Sequence, residues 1–259
     1  MSIFFIYINT SSAQSFVHDF GVYAGYTSIQ TDYGERFYTP SSISLASLSF
    51  TVAHSLHFYN LRKFIFKKSN LKNHLLLRTL ASYESKRDLR HKGEWVSRNS
   101  IAAEQLRAMK GSIRGATLGM DLEIHFRDLA EFNSYSRARH RISPYISTGI
   151  RLLLYENDLS SDLGDWRTDN SLLFPKYRID TNRAIGKGHA IGVAFTTGFR
   201  YNIARNLDLD SKINWILYNS DEIDGLIVDE EINKFNETTT SIQIGIVFRL
   251  GRNKRFKCF

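Results

Sequence analysis

The sequence has one cysteine, three prolines and three tryptophans in 259 residues. A lone cysteine, Cys258, cannot close an internal disulfide or build a thiolate metal centre. Scarce proline leaves long stretches of chain free to run as unbroken strands. No stretch approaches the ~20 apolar residues that a membrane-spanning helix needs. Phosphate-binding glycine loops, nucleophile elbows and zinc-ligand spacings are missing too. Gly186-Lys-Gly188 lacks the spacing of either nucleotide motif and reads as loop. These absences leave no catalytic signature, so we expect no enzyme, no cofactor and no resident metal.

Charge of one sign is not concentrated either. There are 34 Lys and Arg against 26 Asp and Glu, a net +8. A basic balance raises nucleic acid as a partner. Here the charges are scattered, without a basic helix or a reader motif, which argues for solvated loops and a polar interior. Mean hydropathy is only −0.28. That does not exclude a membrane protein, because a membrane strand turns only every second residue to lipid.

What the sequence does have is alternation. Ile242, Ile244, Ile246, Phe248 and Leu250 share one face; Ser241, Gln243, Gly245, Val247 and Arg249 share the other. Leu118, Met120, Leu122, Ile124 and Phe126 likewise oppose Thr117, Gly119, Asp121, Glu123 and His125. From Ile191 to Ile203 the split recurs. A period of two with one oily and one polar face is a strand signature. Eight such segments lie near 16–30, 44–58, 73–85, 114–126, 142–155, 190–203, 207–219 and 238–250. Most exceed the ~5–6 residues of soluble strands and reach the ~9–11 of tilted membrane strands. Connections after odd strands are long, about 13, 28, 34 and 18 residues; those after even strands are about 14, 15 and 3. The sequence predicts an all-β fold: an eight-stranded antiparallel up-and-down transmembrane β-barrel with long extracellular loops. One short loop helix is expected over Ile101–Lys110, capped by Asn99 or Ser100 and ended by Gly111. Residues 1–13 resemble a degenerate or truncated signal peptide, with a cut before Gln14; residues 14–259 form one barrel domain.

The polar faces carry both signs. Asp19, Arg78, Asp121, Glu123, Arg151, Arg200, Asp208, Asp210, Lys212 and Arg249 all fall there. An eight-stranded barrel is only wide enough for side chains. We expect these charges to pair inside the lumen and close it. Asp208 and Asp210 share a face and could hold a cation, or pair with Arg200 or Lys212. Asp221, Asp224 and Gly225, with Asp229-Glu-Glu231, make an acidic outer loop that lacks the full spacing of a calcium loop. The eight histidines do not cluster; His54 and His57 lie on opposite faces. Two other readings stay open. His54 with Ser55 or Ser49 could serve a lipid-modifying barrel enzyme. A soluble lipid-binding barrel would put the oily face inside.

A longer set of residues carries a resemblance. Phe16-Val-His-Asp-Phe-Gly-Val-Tyr-Ala-Gly25 and Gln30-Thr-Asp-Tyr-Gly-Glu-Arg36 open it. Trp95-Val96, Leu106-Arg-Ala-Met-Lys-Gly111, Pro144-Tyr-Ile-Ser-Thr-Gly149 and Leu163-Gly-Asp-Trp166 continue it. Asn206-Leu-Asp-Leu-Asp210, Ser220-Asp-Glu-Ile-Asp-Gly-Leu226 and Asn233-Lys-Phe-Asn236 complete it. Together these resemble an outer-membrane β-barrel family of Bacteroidota, flavobacteria especially. The chain is also broadly similar to the PorT and PorG type barrels that accompany type IX secretion and gliding. The resemblance implies an outer-membrane location and a barrel, and brings no activity. This sequence departs from it in its poor signal and in Gly251–Phe259, which run past the last alternating segment. Several matched motifs sit in loops, making Asp32, Gly34, Arg36, Leu106, Arg107, Met109, Asp221 and Asp224 candidates for interaction. Expected partners are outer-membrane lipid and other envelope or secretion proteins, not nucleic acid, with the barrel monomeric.

Overall fold

The computed structural model describes residues 17–31, 33, 46–58, 71–133, 141–177, 185–204, 206–226 and 237–250. The signal-like segment 1–13, Asp32, Gly34, Arg36, the acids at 229–231, residues 233–236 and the basic tail with Cys258 lie outside the described residues. Eight strands follow in chain order: β1 (Val17–Gln30), β2 (Ser47–His57), β3 (Leu75–Arg90), β4 (Met109–His125), β5 (Ile142–Ser161), β6 (Gly186–Ala204), β7 (Leu207–Tyr218) and β8 (Thr238–Arg249). Each pairs antiparallel with the next, and β8 pairs with β1 to close the barrel. Closure leaves no unpaired edge, which a strand needs before it can cross hydrocarbon.

The oily face points out. Phe20, Phe50, Leu118, Ile150, Phe195, Trp215 and Ile244 are all large, apolar and exposed. Their strands alternate strictly between these and buried partners. This overturns the soluble lipid-binding alternative, which required the opposite polarity. A closed, even-stranded antiparallel barrel with an apolar outside and a polar inside is the outer-membrane type of barrel.

The middle strands run further than the alternation test marks them. β3 ends at Arg90, β4 begins at Met109, β5 ends at Ser161 and β6 begins at Gly186. The cause is an inversion of phase. Along β4 the outward residues below Ala116 are Arg114, Ser112 and Lys110, while the inward ones are Ile113 and Met109. Along β5 the outward residues after Leu154 are Glu156, Asp158 and Ser160, and the inward ones are Tyr155 and Leu159. The strands have left lipid there and enclose an apolar core of their own. A test that follows one oily face loses the strand where that face switches sides.

The loop helix is α2 (Ile101–Ala108), preceded by a single turn, α1 (Glu94–Ser97). Ser100 caps α2, its side chain accepting from the Ala103 N–H at 3.2 Å. The expected stop at Gly111 is corrected: the helix ends at Ala108, and Met109 turns extended to start β4. Gly111 is a strand residue whose missing side chain makes room for Tyr33, since a Cβ there would lie 2.5 Å from that ring. A third turn, α3 (Leu129–Phe132), lies in the connection between β4 and β5. The expectation of a single loop helix is therefore too few.

Candidate functional site

The inward faces of β4, β5 and β7 change character from the end that carries the termini to the far end. On β7 the buried residues run Asp208, Asp210, Lys212, Asn214, Ile216, Tyr218. On β4 they run His125, Glu123, Asp121, Thr117, Ile113, Met109. The lumen is thus layered: charged near the termini, neutral and polar in the middle, apolar at the far end.

Below the charged layer sits an apolar floor. Val17, Leu76, Leu129, Ala130 and Phe132 pack together there. Asp128 caps α3, accepting from the Ala130 and Glu131 N–H groups, and Asn73 donates to the same carboxylate at 2.8 Å. Asn202 Nδ2 donates to the Phe132 carbonyl at 3.4 Å. Arg249 donates to the Asn133 carbonyl at 3.4 Å. These bonds hold α3 across the barrel mouth.

All ten charges expected on the polar faces lie buried inside the barrel. Asp210 is the hub. It accepts from Tyr23 Oη at 2.9 Å, Tyr145 Oη at 2.8 Å and Arg78 NH2 at 2.9 Å. Arg78 also reaches Glu123 at 2.9 Å. Arg200 pairs with Asp19 at 2.8 Å and approaches Glu123 at 3.5 Å. Arg249 pairs with Asp208 at 2.6 Å. Arg151 and Asp121 meet fork to fork, at 2.5 and 2.8 Å. Lys212 sits with its ammonium 3.9 Å from the centre of the Tyr23 ring. Asp208 and Asp210 therefore pair with cations, but the expected partners are corrected: Asp208 takes Arg249 and Asp210 takes Arg78, with Arg200 Nε only within 3.6 Å of Asp210 and Lys212 turned to the Tyr23 ring. Five carboxylates face five cations among the ten, and the formal sum is zero with histidines neutral. Burying ions is tolerable only when they are paired in this way.

Four members escaped the sequence reading. His57 donates from Nε2 to Asp19 at 2.7 Å, and His125 from Nε2 to Glu123 at 2.6 Å. Tyr23 and Tyr145 supply the hydroxyls on Asp210. The signal for the tyrosines was glycine. A Cβ on Gly245 would lie 2.3 Å from the Tyr23 ring, and one on Gly198 would lie 2.7 Å from Tyr145. Small residues at inward positions mark where a neighbouring ring lies over the wall. Gly245→Ala is expected to destabilise the barrel by about 1–3 kcal/mol through overpacking. The urea midpoint of the compact band on unboiled gels reads this out, and an unchanged midpoint refutes it.

The neutral layer holds Thr51, Thr196, Asn214, Ser241 and Gln243, bonded to one another and to Ser49. A cavity of about 30 Å³ lies among them, lined also by Lys212, Arg151 and Glu84. That is space for a water or two.

The far end is an apolar cap. Leu89, Leu106, Met109, Leu159, Trp166, Leu173 and Tyr177 join one core with inward residues of the wall. His91 lies buried between Tyr33 and Tyr177, its ring centre 4.6 and 5.6 Å from theirs. Burial alone drives its pKa down from 6.5 to about 4. Of the loop candidates, Leu106, Met109 and Asp224 turn inward. Asp224 accepts from the Leu226 N–H at 2.8 Å. Arg107 is exposed and braces α1 by donating to the Val96 and Arg98 carbonyls. Asp221 is half-buried.

The serine and histidine weighed for lipid chemistry do not meet. Ser49 and Ser55 face the lumen, while His54 is on the outside of the barrel, 3.0 Å from His18 Nδ1.

No family model matches the chain, and no curated protein matches it in sequence. Among solved structures it is similar to a major outer membrane protein from Thermus thermophilus. Identity there is 12%, with 90% of this chain and 98% of that one covered and a TM-score of 0.46. It is similar to Ail, the attachment invasion locus protein of Yersinia pestis, crystallised with the heparin analogue sucrose octasulfate. There identity is 10%, coverage 90% and 98%, and TM-score 0.43. For Neisserial surface protein A the values are 13%, 89% and 96%, and 0.43. Likeness at this level transfers no residue role and no activity.

Proposed function

We propose that the protein is a non-conducting outer-membrane barrel with a structural or interaction role, accessory to an envelope or secretion complex. The observation that carries this reading is the filled lumen: an apolar floor, a balanced ion network and an apolar cap lie in series along one axis. A transport pathway needs a continuous polar route, and an enzyme needs a cleft with converging reactive groups. Among the described residues the layers supply neither.

The termini end of such barrels faces the periplasm and the longer connections face outside. The capped end then belongs to the cell exterior. Among the described residues its wall stands beyond the lipid belt on β3–β6, while β1, β2, β7 and β8 stop at Gln30, Ser47, Tyr218 and Thr238. A strand wall that projects in this way suits protein contact. The belt of outward apolar residues occurs on both halves of the barrel, from Phe20 on β1 to Leu118 on β4 and Ile244 on β8, so lipid is the partner of the wall and one chain suffices.

Planar-bilayer recording tests the reading. Protein that shows heat-modifiable gel mobility is expected to give no steady conductance. Steady large openings would overturn the filled-lumen reading. Affinity purification from native envelopes is expected to return a defined envelope or secretion protein, and recovery of the barrel alone speaks against the accessory role.

A further inference from the structure

A groove of about 560 Å³ opens on the wall of β4 and β5, beyond the lipid belt. Arg114, Glu156, Asp158 and Arg167 line it, with Ser112 and Asn157. We propose that this groove binds the phosphorylated headgroup of an outer-leaflet lipid. The inference rests on the outer-membrane reading above.

Arg114, Glu156 and Lys187 form one cross-strand row. They stand two residues past Ala116, Leu154 and His189, where the exposed apolar belt ends. At ~3.3 Å per residue along a tilted strand, that step rises roughly 5 Å, about the depth of one headgroup layer. The groove therefore lies level with the charged part of the leaflet rather than in its hydrocarbon or in free solvent.

Arg114 directs Nε and NH2 to one oxygen of Glu156, at 2.9 and 2.5 Å. That bond orients the guanidinium and leaves it further N–H donors for an anion. Arg167 is held twice, by Asp158 at 3.3 Å and over the face of Trp166 at 4.9 Å. Trp166 is itself anchored, buried and donating to the Leu159 carbonyl at 2.8 Å. Two pre-oriented guanidinium groups thus share one groove, with Lys187 beside Glu156 in the strand register. Planar forks of this kind match phosphate oxygens in pairs. The exposed ion pairs in place are individually weak, so a phosphate can compete with the Glu156 and Asp158 carboxylates for the arginine donors.

The test uses the full chain refolded in detergent and titrated with a bisphosphorylated lipid A, followed by tryptophan fluorescence. Arg114→Gln with Arg167→Gln is expected to weaken binding about tenfold. Removing the lipid's phosphates is expected to weaken binding to the unmutated protein by a similar factor. Excess inorganic phosphate should compete poorly, because the groove lies at the leaflet surface. Equal binding by the variant, indifference to the phosphates, or inorganic phosphate binding as tightly as the lipid each overturns the proposal. Gel mobility of the same samples separates the two failures. A compact band without discrimination sinks only the groove, whereas a soluble, unshifted band sinks the membrane reading.

Discussion

Replacing Asp210 with alanine is expected to lower the stability of the barrel by about 3–5 kcal/mol, the range for removing one partner of a buried ion pair. Three donors converge on this carboxylate: the hydroxyls of Tyr23 and Tyr145 and the Arg78 guanidinium. Arg200 Nε stands 3.6 Å away. Alanine removes every acceptor at once. It leaves two buried guanidinium groups short of a counter-charge and two phenols short of a bond. Asparagine keeps an acceptor oxygen and loses the charge, so its cost should fall between alanine and the native residue. Asp210→Leu combined with Arg78→Leu keeps the formal charge of the lumen at zero and should cost less than the sum of the two single changes, although Glu123 then loses its Arg78 partner. The urea midpoint of the compact band, measured in vesicles, ranks the variants. A midpoint for Asp210→Ala equal to the native one would show that the network does not hold the lumen together.

That network was legible in outline because a strand's period of two assigns faces without any knowledge of pairing. Asp121, Glu123 and Asp210 each fall on the face opposite a series of large apolar residues. Strand count and closure were legible for the same reason. Who pairs with whom was not, since Asp210 meets Arg78 across 132 residues of chain. Tyrosine hid the hub: Tyr23 and Tyr145 score as apolar or polar according to the neighbour, and only the glycines opposite them betray their direction. The floor was invisible for another reason. Four residues, Leu129–Phe132, are too few to show a helical period, and their apolar side chains find partners only across the barrel mouth. The extension of β3–β6 escaped because its oily face is the inner one. A sequence reader who expects lipid outside stops where the phase turns over.

The cap is expected to loosen as pH falls from about 6.5 to about 4, with His91 as the cause. The ring lies between Tyr33 and Tyr177 in an apolar core, and burial is what holds its pKa down to about 4. In the opened loops the same ring titrates near 6.5. The folded cap therefore prefers the neutral ring. Its full stability is present above pH 6.5 and is lost progressively as pH drops through the interval to about 4. A shift of this size corresponds to at most about 3 kcal/mol, roughly 1.4 kcal/mol per pH unit. The loss falls on the cap rather than the barrel, because loops open locally while the closed sheet stays paired. Trp166, buried in the same core, reports it. With Trp95 and Trp215 changed to Phe, acrylamide quenching of Trp166 should rise between pH 6.5 and 4. His91→Phe keeps the stacked ring without a titrating nitrogen and should flatten that rise, while carboxylates in the neighbouring loops still titrate. An identical rise in His91→Phe would assign the acid response to those carboxylates and remove His91 from the cap's pH dependence.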